Sequence, residues 1–375
     1  MNDLLRLSLV FASGLCITLL VIPSILQVAY QKQLFDVPDE RKVHQKPIPS
    51  LGGIGIFIGV IISFTLWARD LNDFPEYKYV LTAYLVLFFM GLKDDLILMR
   101  AHKKLFIQLG VAGLLTFGGV RIFDLQGFLG IHELNTFWSY FISMFLIVGV
   151  TNAFNLIDGI DGLAGGLGGI NCFTFGALLY AAGRFEYAML AFAVGGSLLG
   201  FLRFNFREYP NKIFMGDTGS LLLGLTVSIL AIFFMNFQGE SSIGLDFVSP
   251  AVVVLAIMAI PIADTSRVFI IRVASGRSPF TPDRNHIHHQ VLAMGASHKV
   301  ASIMLYTINI LLVITVMVFR DSSSLGLGLI ILFVGTICTQ LVVFGGHVQR
   351  ERKVADRKSQ LEQLEKDNQF FNRIA

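Results

Sequence analysis

The sequence predicts an all-α polytopic membrane protein of about eleven transmembrane helices, with its N-terminus outside and its C-terminus in the cytoplasm. Three observations predict it. Hydrophobic residues make up 54% of the 375-residue chain and charged residues only 15%, against roughly 25% in ordinary soluble domains. The apolar residues gather in runs near the roughly 20 needed to cross a bilayer. Lys and Arg concentrate in alternate connections between those runs. With a mean hydropathy of +0.68, a soluble fold could not hide this much apolar surface.

The runs are, in order, Leu4–Ala29, Leu51–Ala68, Tyr79–Leu92, Leu105–Val120, Phe137–Ala153, Leu163–Ala182, Tyr187–Phe204, Ser220–Phe237, Val248–Ile271, Ala301–Phe319 and Leu325–Gly345. The first is too long for the apolar core of a signal peptide and reads as a span. The third is short and extends into the polar segment after it. The ninth reads as one continuous span.

Of the 29 Lys and Arg residues, only Arg6, Arg69, Lys78, Arg121, Arg184 and Arg320 fall on one side of this arrangement. The rest fall on the other, which the positive-inside rule places in the cytoplasm. Opposite locations for the two termini require an odd number of spans, in agreement with the count. The chain divides into a transmembrane domain, 1–346, in which any chemistry must lie, and a cytoplasmic tail, 347–375. Leu361, Leu364 and Phe370 give the tail a weak helical stripe, expected of a solvated or membrane-surface helix more than of a partner-binding one. Cys16, Cys172 and Cys338 sit in apolar runs and form no motif, so neither a disulfide framework nor a thiolate metal site is expected.

Ionisable groups at membrane depth are costly and usually mark a site. Five polar clusters fall on the predicted cytoplasmic side. The first is the loop from Val37 to Gly53, where prolines restrict the backbone and Gly52 and Gly53 permit close approach; Lys46 is its phosphate-facing candidate. The second is the adjacent pair Asp94 and Asp95, suited to a general base or a cation site. The third places Asn152, Asn155, Asp158 and Asp161 at intervals of three, so that neighbours share a helix face, before Gly162 releases the chain. Amides and carboxylates there can read a nucleobase edge or ligate a hard cation. The fourth is Asp217, opening the eighth run, where free helix N–H groups can face an anion and the plainer alternative is N-capping. The fifth is Arg284, His286, His288 and His289. With no cysteine nearby, it fits a pyrophosphate clamp better than zinc. Apart from these, Asp264 lies near Pro261 with Arg267 as its i, i+3 partner. His298 reads as a singleton surface or interface histidine.

Together these segments resemble the polyprenyl-phosphate N-acetylhexosamine-1-phosphate transferases, glycosyltransferase family 4, over about Asp36 to His298. The pattern His286-Ile287-His288-His289 resembles the WecA/TagO-like branch. The resemblance implies transfer of N-acetylhexosamine-1-phosphate, most simply GlcNAc-1-phosphate, from the UDP-sugar to undecaprenyl phosphate with release of UMP, at the start of lipid-linked cell-envelope glycan synthesis. It implies magnesium or manganese, with Asp217 as principal ligand and Asn155 as a second contact. Asp158 and Asp161, with Asn152 beside them, are placed near the nucleotide, Asp161 closest to the uracil. Asp94 and Asp95 are placed near the lipid phosphate as the catalytic carboxylates. Lys46, Arg284, His286, His288 and His289 are placed at the sugar and pyrophosphate. The expected partners are the UDP-N-acetylhexosamine, undecaprenyl phosphate and membrane lipids, with no nucleic acid; homodimers occur among relatives. The expected location is the bacterial inner membrane, with the site on the cytoplasmic face. Another UDP-N-acetylhexosamine donor is the nearest alternative, and a cation-coupled transporter the alternative from a different class.

Overall fold

The computed structural model describes residues 2–35, 47–68, 74–237, 247–276, 278, 286–323, 325–337 and 340. Its helices are α1 (Asp3–Lys32), α2 (Gly52–Trp67), α3 (Tyr77–Leu96), α4 (Ala101–Phe117), α5 (Thr136–Ile157), α6 (Leu163–Ala181), α7 (Phe185–Asn205), α8 (Gly216–Asn236), α9 (Pro250–Ile257), α10 (Ala259–Ala274), α11 (Ile287–Ala293), α12 (His298–Val318) and α13 (Leu325–Ile337). Each predicted run falls on a helix, except the ninth, which falls on two.

Among the described residues, six helices are long and apolar enough to cross a membrane: α1, α5, α6, α7, α8 and α12. The pair α9 and α10 would make a seventh, while α2 and α13 are shorter apolar helices. The two remaining runs fall on helices that carry charge within their length: Lys78, Lys93, Asp94 and Asp95 on α3, and Lys103 and Lys104 on α4.

The ninth run is not one straight span, because α9 and α10 meet at an angle of 79°. Pro261 supplies the cause. It lacks the N–H that would bond to the Ile257 carbonyl, and its ring collides with that carbonyl in a straight helix. The freed carbonyl still needs a donor inside the protein. Asn171 of α6, with its amide oriented to donate, reaches it at 2.7 Å.

At the centre lies α8, whose apolar stretch is entirely buried. It is hydrophobic on every side, as a helix surrounded by other helices must be, and it packs against α2, α3, α5, α6 and α7. Its N-terminus meets that of α2 so closely that a Cβ on Gly53 would lie 2.2 Å from the Gly219 nitrogen. Backbone bonds fasten the same junction: Gly52 N donates to Phe214 O at 2.9 Å, Gly53 N to Met215 O at 2.8 Å, and Phe214 N to Pro49 O at 2.8 Å. The prolines and glycines of the first cluster therefore tie the approach to α2 onto the approach to α8.

A two-stranded antiparallel hairpin, β1 (Asp124–Phe128) and β2 (Ile131–Glu133), was not expected. It packs on α8 and α9. Positive φ occurs at Gln126 and Gly127, at an irregularity within β1, and at Leu129 and Gly130 in the turn, and two of these are not the glycines or asparagines that advertise such turns.

Candidate active site

The ends of α3, α5 and α8 and the start of α4 converge on a cavity of about 440 Å³. Its side-chain lining includes Ser50, Asp94, Asp95, Lys104, Asn155, Asp158, Asp161, Asn205, Lys212, Phe214, Asp217, His289 and His298. Seven residues expected at a site thus share one cavity: Asp94, Asp95, Asn155, Asp158, Asp161, Asp217 and His289.

At one end, the Lys104 ammonium stands between two carboxylates. It donates to Asp217 Oδ2 at 2.8 Å and pairs with Asp94 Oδ2. Asp217 Oδ1 accepts from Asn155 Nδ2 at 3.0 Å, and the same amide reaches Ser220 Oγ at 3.0 Å. Asp94 Oδ1 accepts from the Met99 backbone N–H at 2.6 Å, which shapes the turn between α3 and α4.

Asp95 does something different from its neighbour. Its carboxylate accepts from Asp217 N at 2.7 Å, Thr218 N at 3.0 Å and Thr218 Oγ1 at 2.5 Å. It therefore caps α8 from α3, and the N–H groups expected to face an anion are already taken by a side chain. An amide at this position must aim its NH₂ at one of those donors. Asp95→Asn is thus expected to cost about 1–3 kcal/mol of stability, measured as a lower thermal midpoint of the detergent-solubilised protein. An unchanged midpoint would show that the cap contributes little.

At the other end, the chain leaves α5 through Asp158 and re-enters helix at Leu163. Gly162 takes φ +79° there and donates its N–H to Asn205 Oδ1 at 2.6 Å. Asn205 Nδ2 in turn donates to Ile213 O at 2.8 Å, linking this turn to the strand of chain before α8. One stripe of α12 fastens the turn from the opposite side. His298 Nδ1 lies 3.0 Å from Asp161 Oδ2, Ser302 Oγ donates to Asp161 O at 2.7 Å, and Tyr306 donates to Gly162 O.

Lys212 Nζ donates to Asp161 Oδ2 at 2.6 Å. Burial works against ionisation of Asp161, but the bonds from His298 and Lys212 outweigh it and hold the carboxyl below its usual range. Asp158 behaves oppositely. Burial, followed by the charges of Asp217, Asp95 and Asp161, raises it to about 8. Five carboxylates thus crowd a cavity that holds Lys104 and Lys212, and a bound cation would relieve their repulsion.

The donor chemistry fits a hard one. Carboxylate and amide oxygens surround the Lys104 end of the cavity. Among the described residues, no three His, Cys, Asp or Glu side chains converge as a closed metal cage. Magnesium does not require one, since it is commonly bound by one or two carboxylates plus substrate phosphates and water.

Three expected site residues lie elsewhere. Asn152 faces Gln108 of α4, its Nδ2 donating to Gln108 Oε1 at 2.7 Å. The three-residue spacing explains this, because each step turns the side chain about 60° and Asn152 rotates away from the face of Asp158. His286 is buried against Asp264. His288 is buried too, with its ring so close to Gly159 that a Cβ there would lie 2.3 Å from Nε2. Burial, then the charge of His289, pushes His288 down to about 3, so its imidazole is neutral. Lys46 and Arg284, like the tail, lie outside the described residues.

The sequence reading missed Lys104, Lys212 and His298 as site residues. Lys104 and Lys212 registered there only as cytoplasmic charge. A lysine one turn into the helix following Asp94-Asp95 was the signal available, but nothing in the spacing names its partner.

Comparison with known proteins agrees with this arrangement. The description "Glycosyl transferase family 4" matches residues 77–235, a stretch that contains Asp94, Lys104, Asn155, Asp158, Asp161 and Asp217. A Bacillus subtilis (strain 168) protein named "Probable undecaprenyl-phosphate N-acetylglucosaminyl 1-phosphate transferase" is 33% identical over 341 residues, 90% of this chain and 92% of its own length. The "Undecaprenyl-phosphate alpha-N-acetylglucosaminyl 1-phosphate transferase" of Yersinia pestis is 34% identical over 290 residues, 74% of this chain and 75% of its own. The Escherichia coli (strain K12) protein of the same name is 33% identical over 289 residues, covering 74% of each chain. With seven of the expected site residues gathered at one cavity and relatives matched over most of its length, the chain belongs to glycosyl transferase family 4.

Proposed function

We propose that this multi-pass membrane protein transfers GlcNAc-1-phosphate from UDP-GlcNAc to undecaprenyl phosphate, releasing UMP. The relatives' names support the reaction and the acceptor. The observation that carries the reading is the Lys104 ammonium between Asp94 and Asp217, in the same cavity as the Asp158–Asp161 turn. One end of the cavity suits phosphates and the other a nucleotide.

A lipid phosphate oxygen attacks the β-phosphorus of the UDP-sugar, and UMP departs with the electrons of the pyrophosphate bond. Phosphoryl transfer asks mainly for positioning and charge neutralisation. Lys104 supplies a fixed positive charge beside the reacting phosphates. Asp94 orients the lipid phosphate; because the second pKa of a phosphate monoester is about 6, no strong base is needed. Asp161, held by Lys212 and His298, faces the nucleotide, and Phe214 offers an aromatic wall beside Lys212, whose Nζ lies 5.5 Å from its ring centroid. Asp217 and Asn155 are the residues that would hold magnesium, whose charge would offset that of the pyrophosphate when bound. Lys46 and Arg284 complete the sugar and pyrophosphate contacts in this reading.

One substrate is water-soluble and the other a lipid, so the cavity belongs at a membrane surface. This reading places about eleven spans in the inner membrane, with the N-terminus outside and the cavity facing the cytoplasm, the side on which Lys and Arg concentrate.

The test is UMP release by purified protein supplied with undecaprenyl phosphate, Mg²⁺ and a panel of UDP-sugars. UMP formed only when undecaprenyl phosphate and UDP-GlcNAc are both present is the expected result. Release only with another UDP-N-acetylhexosamine would change the donor. No release with any of them, from folded protein, would overturn the reaction and bring a cation-coupled transporter forward.

A further inference from the structure

Asp264 is a buried carboxylate on the bent helix α10, outside the cavity just described. It accepts three hydrogen bonds. His286 Nδ1 lies 2.8 Å from Oδ2, while Ile287 N donates to Oδ1 at 2.8 Å and Arg267 Nη2 at 3.3 Å. Ile287 is the first residue of α11, so Asp264 caps α11 from a neighbouring helix, as Asp95 caps α8. The capped segment then runs inward as a file of neighbouring rings. His286 and His288 are nearly parallel, with centroids 5.8 Å apart; His288 and His289 follow at 4.3 Å, and His289 lines the cavity.

We infer that Asp264 is a positioning residue for the proposed transfer, fixing His286 with its proton on Nδ1 and pinning the His286–His289 segment against the site. The inference rests on the transferase reading for its kinetic consequence alone. The tautomer follows from valence. A carboxylate oxygen can only accept, so the atom it meets, Nδ1, must carry hydrogen, and Nε2 is left as the second, tunable position of the ring. The cap follows from geometry, since Oδ1 is already committed to Ile287 N and Arg267. The 79° break between α9 and α10 gives α10 its own direction, independent of α9.

Asp264→Asn separates this role from simple anchoring. The amide oxygen must stay with Ile287 N and Arg267, both donors. The amide NH₂ therefore turns to His286 and donates, which forces Nδ1 to accept and moves the ring proton to Nε2. Packing and bond count are preserved, while the tautomer is inverted.

The expected result is a roughly 10- to 100-fold fall in kcat for UMP release, with KM for UDP-GlcNAc changed by less than about threefold and the thermal midpoint unchanged. Imidazole ¹⁵N resonances of His286, assigned by their loss in His286→Gln, should show the proton on Nδ1 in the wild type and on Nε2 in Asp264→Asn. Folded Asp264→Asn with wild-type kcat would overturn the inference, as would a wild-type His286 protonated only at Nε2. If Asp264→Asn does not fold, His286→Gln decides. Its amide still donates to Asp264, so it should fold and lose kcat by a similar factor, and a wild-type kcat would overturn the inference. A wild type that releases no UMP would fail the transferase reading instead, and the ¹⁵N resonances would still decide the tautomer.

Discussion

Lys104→Gln should lower kcat for UMP release about 1,000-fold, where the range for removing one oxyanion donor meets that for removing one cationic finger from phosphoryl transfer. The magnitude follows from what the ammonium does in the resting protein. It is shared by Asp94 and Asp217, and Lys212, the other cavity lysine among the described residues, is engaged with Asp161. Without Lys104, two carboxylates face an incoming pyrophosphate and a lipid phosphate with no fixed positive charge between them. Glutamine is one atom shorter but keeps an N–H that can donate to one of the two partners, so the helix ends should hold. Lys104→Arg should recover part of the rate, because charge is retained while the planar guanidinium cannot reproduce a point contact to both partners. Initial rates of UMP release at saturating substrates, alongside thermal midpoints, provide the check. Near-wild-type turnover in Lys104→Gln would reduce the lysine to a counter-charge for two acids.

That the lysine escaped the sequence reading while the acids did not has a physical basis. A carboxylate near an apolar run carries a desolvation cost that only a role repays, so Asp94, Asp158, Asp161 and Asp217 stand out. Lys and Arg at the same depth are expected on the cytoplasmic side for reasons of topology alone, which hides the few that also do chemistry. His298 was obscured similarly, since one histidine at the head of an apolar helix has no local partner. Its partner, Asp161, is 137 residues away.

The helices were legible because each apolar run is long and bounded by polar segments. The bend between α9 and α10 was written at Pro261, but a hydropathy window averages over one residue. The hairpin was not legible, since Gln126 and Leu129 adopt positive φ without the residues that announce it. Asp95 shows a subtler limit. Adjacent carboxylates look equivalent in a sequence, yet successive helix positions point about 100° apart. One aspartate therefore faces Lys104, and the other reaches the N-terminus of α8.

Asp217→Asn should be at least as damaging as Lys104→Gln, with a fall in kcat of about 1,000-fold or more. Asp217 accepts from Asn155 on one oxygen and from Lys104 on the other. An amide must turn its NH₂ toward one of these donors, so it loses a bond as well as a charge. The two variants nevertheless predict opposite responses to magnesium. If Asp217 holds the ion, Asp217→Asn should raise the Mg²⁺ concentration for half-maximal residual activity by about tenfold or more. Lys104 competes for the same carboxylate, so Lys104→Gln should leave that concentration unchanged or lower it. A magnesium titration of UMP release in both variants reads the sign directly. Shifts of opposite sign would assign Asp217 to the ion and Lys104 to the phosphates. An equal upward shift in both would mean that the two residues support the site only as a pair, because a ligand and its competitor cannot affect ion binding in the same direction.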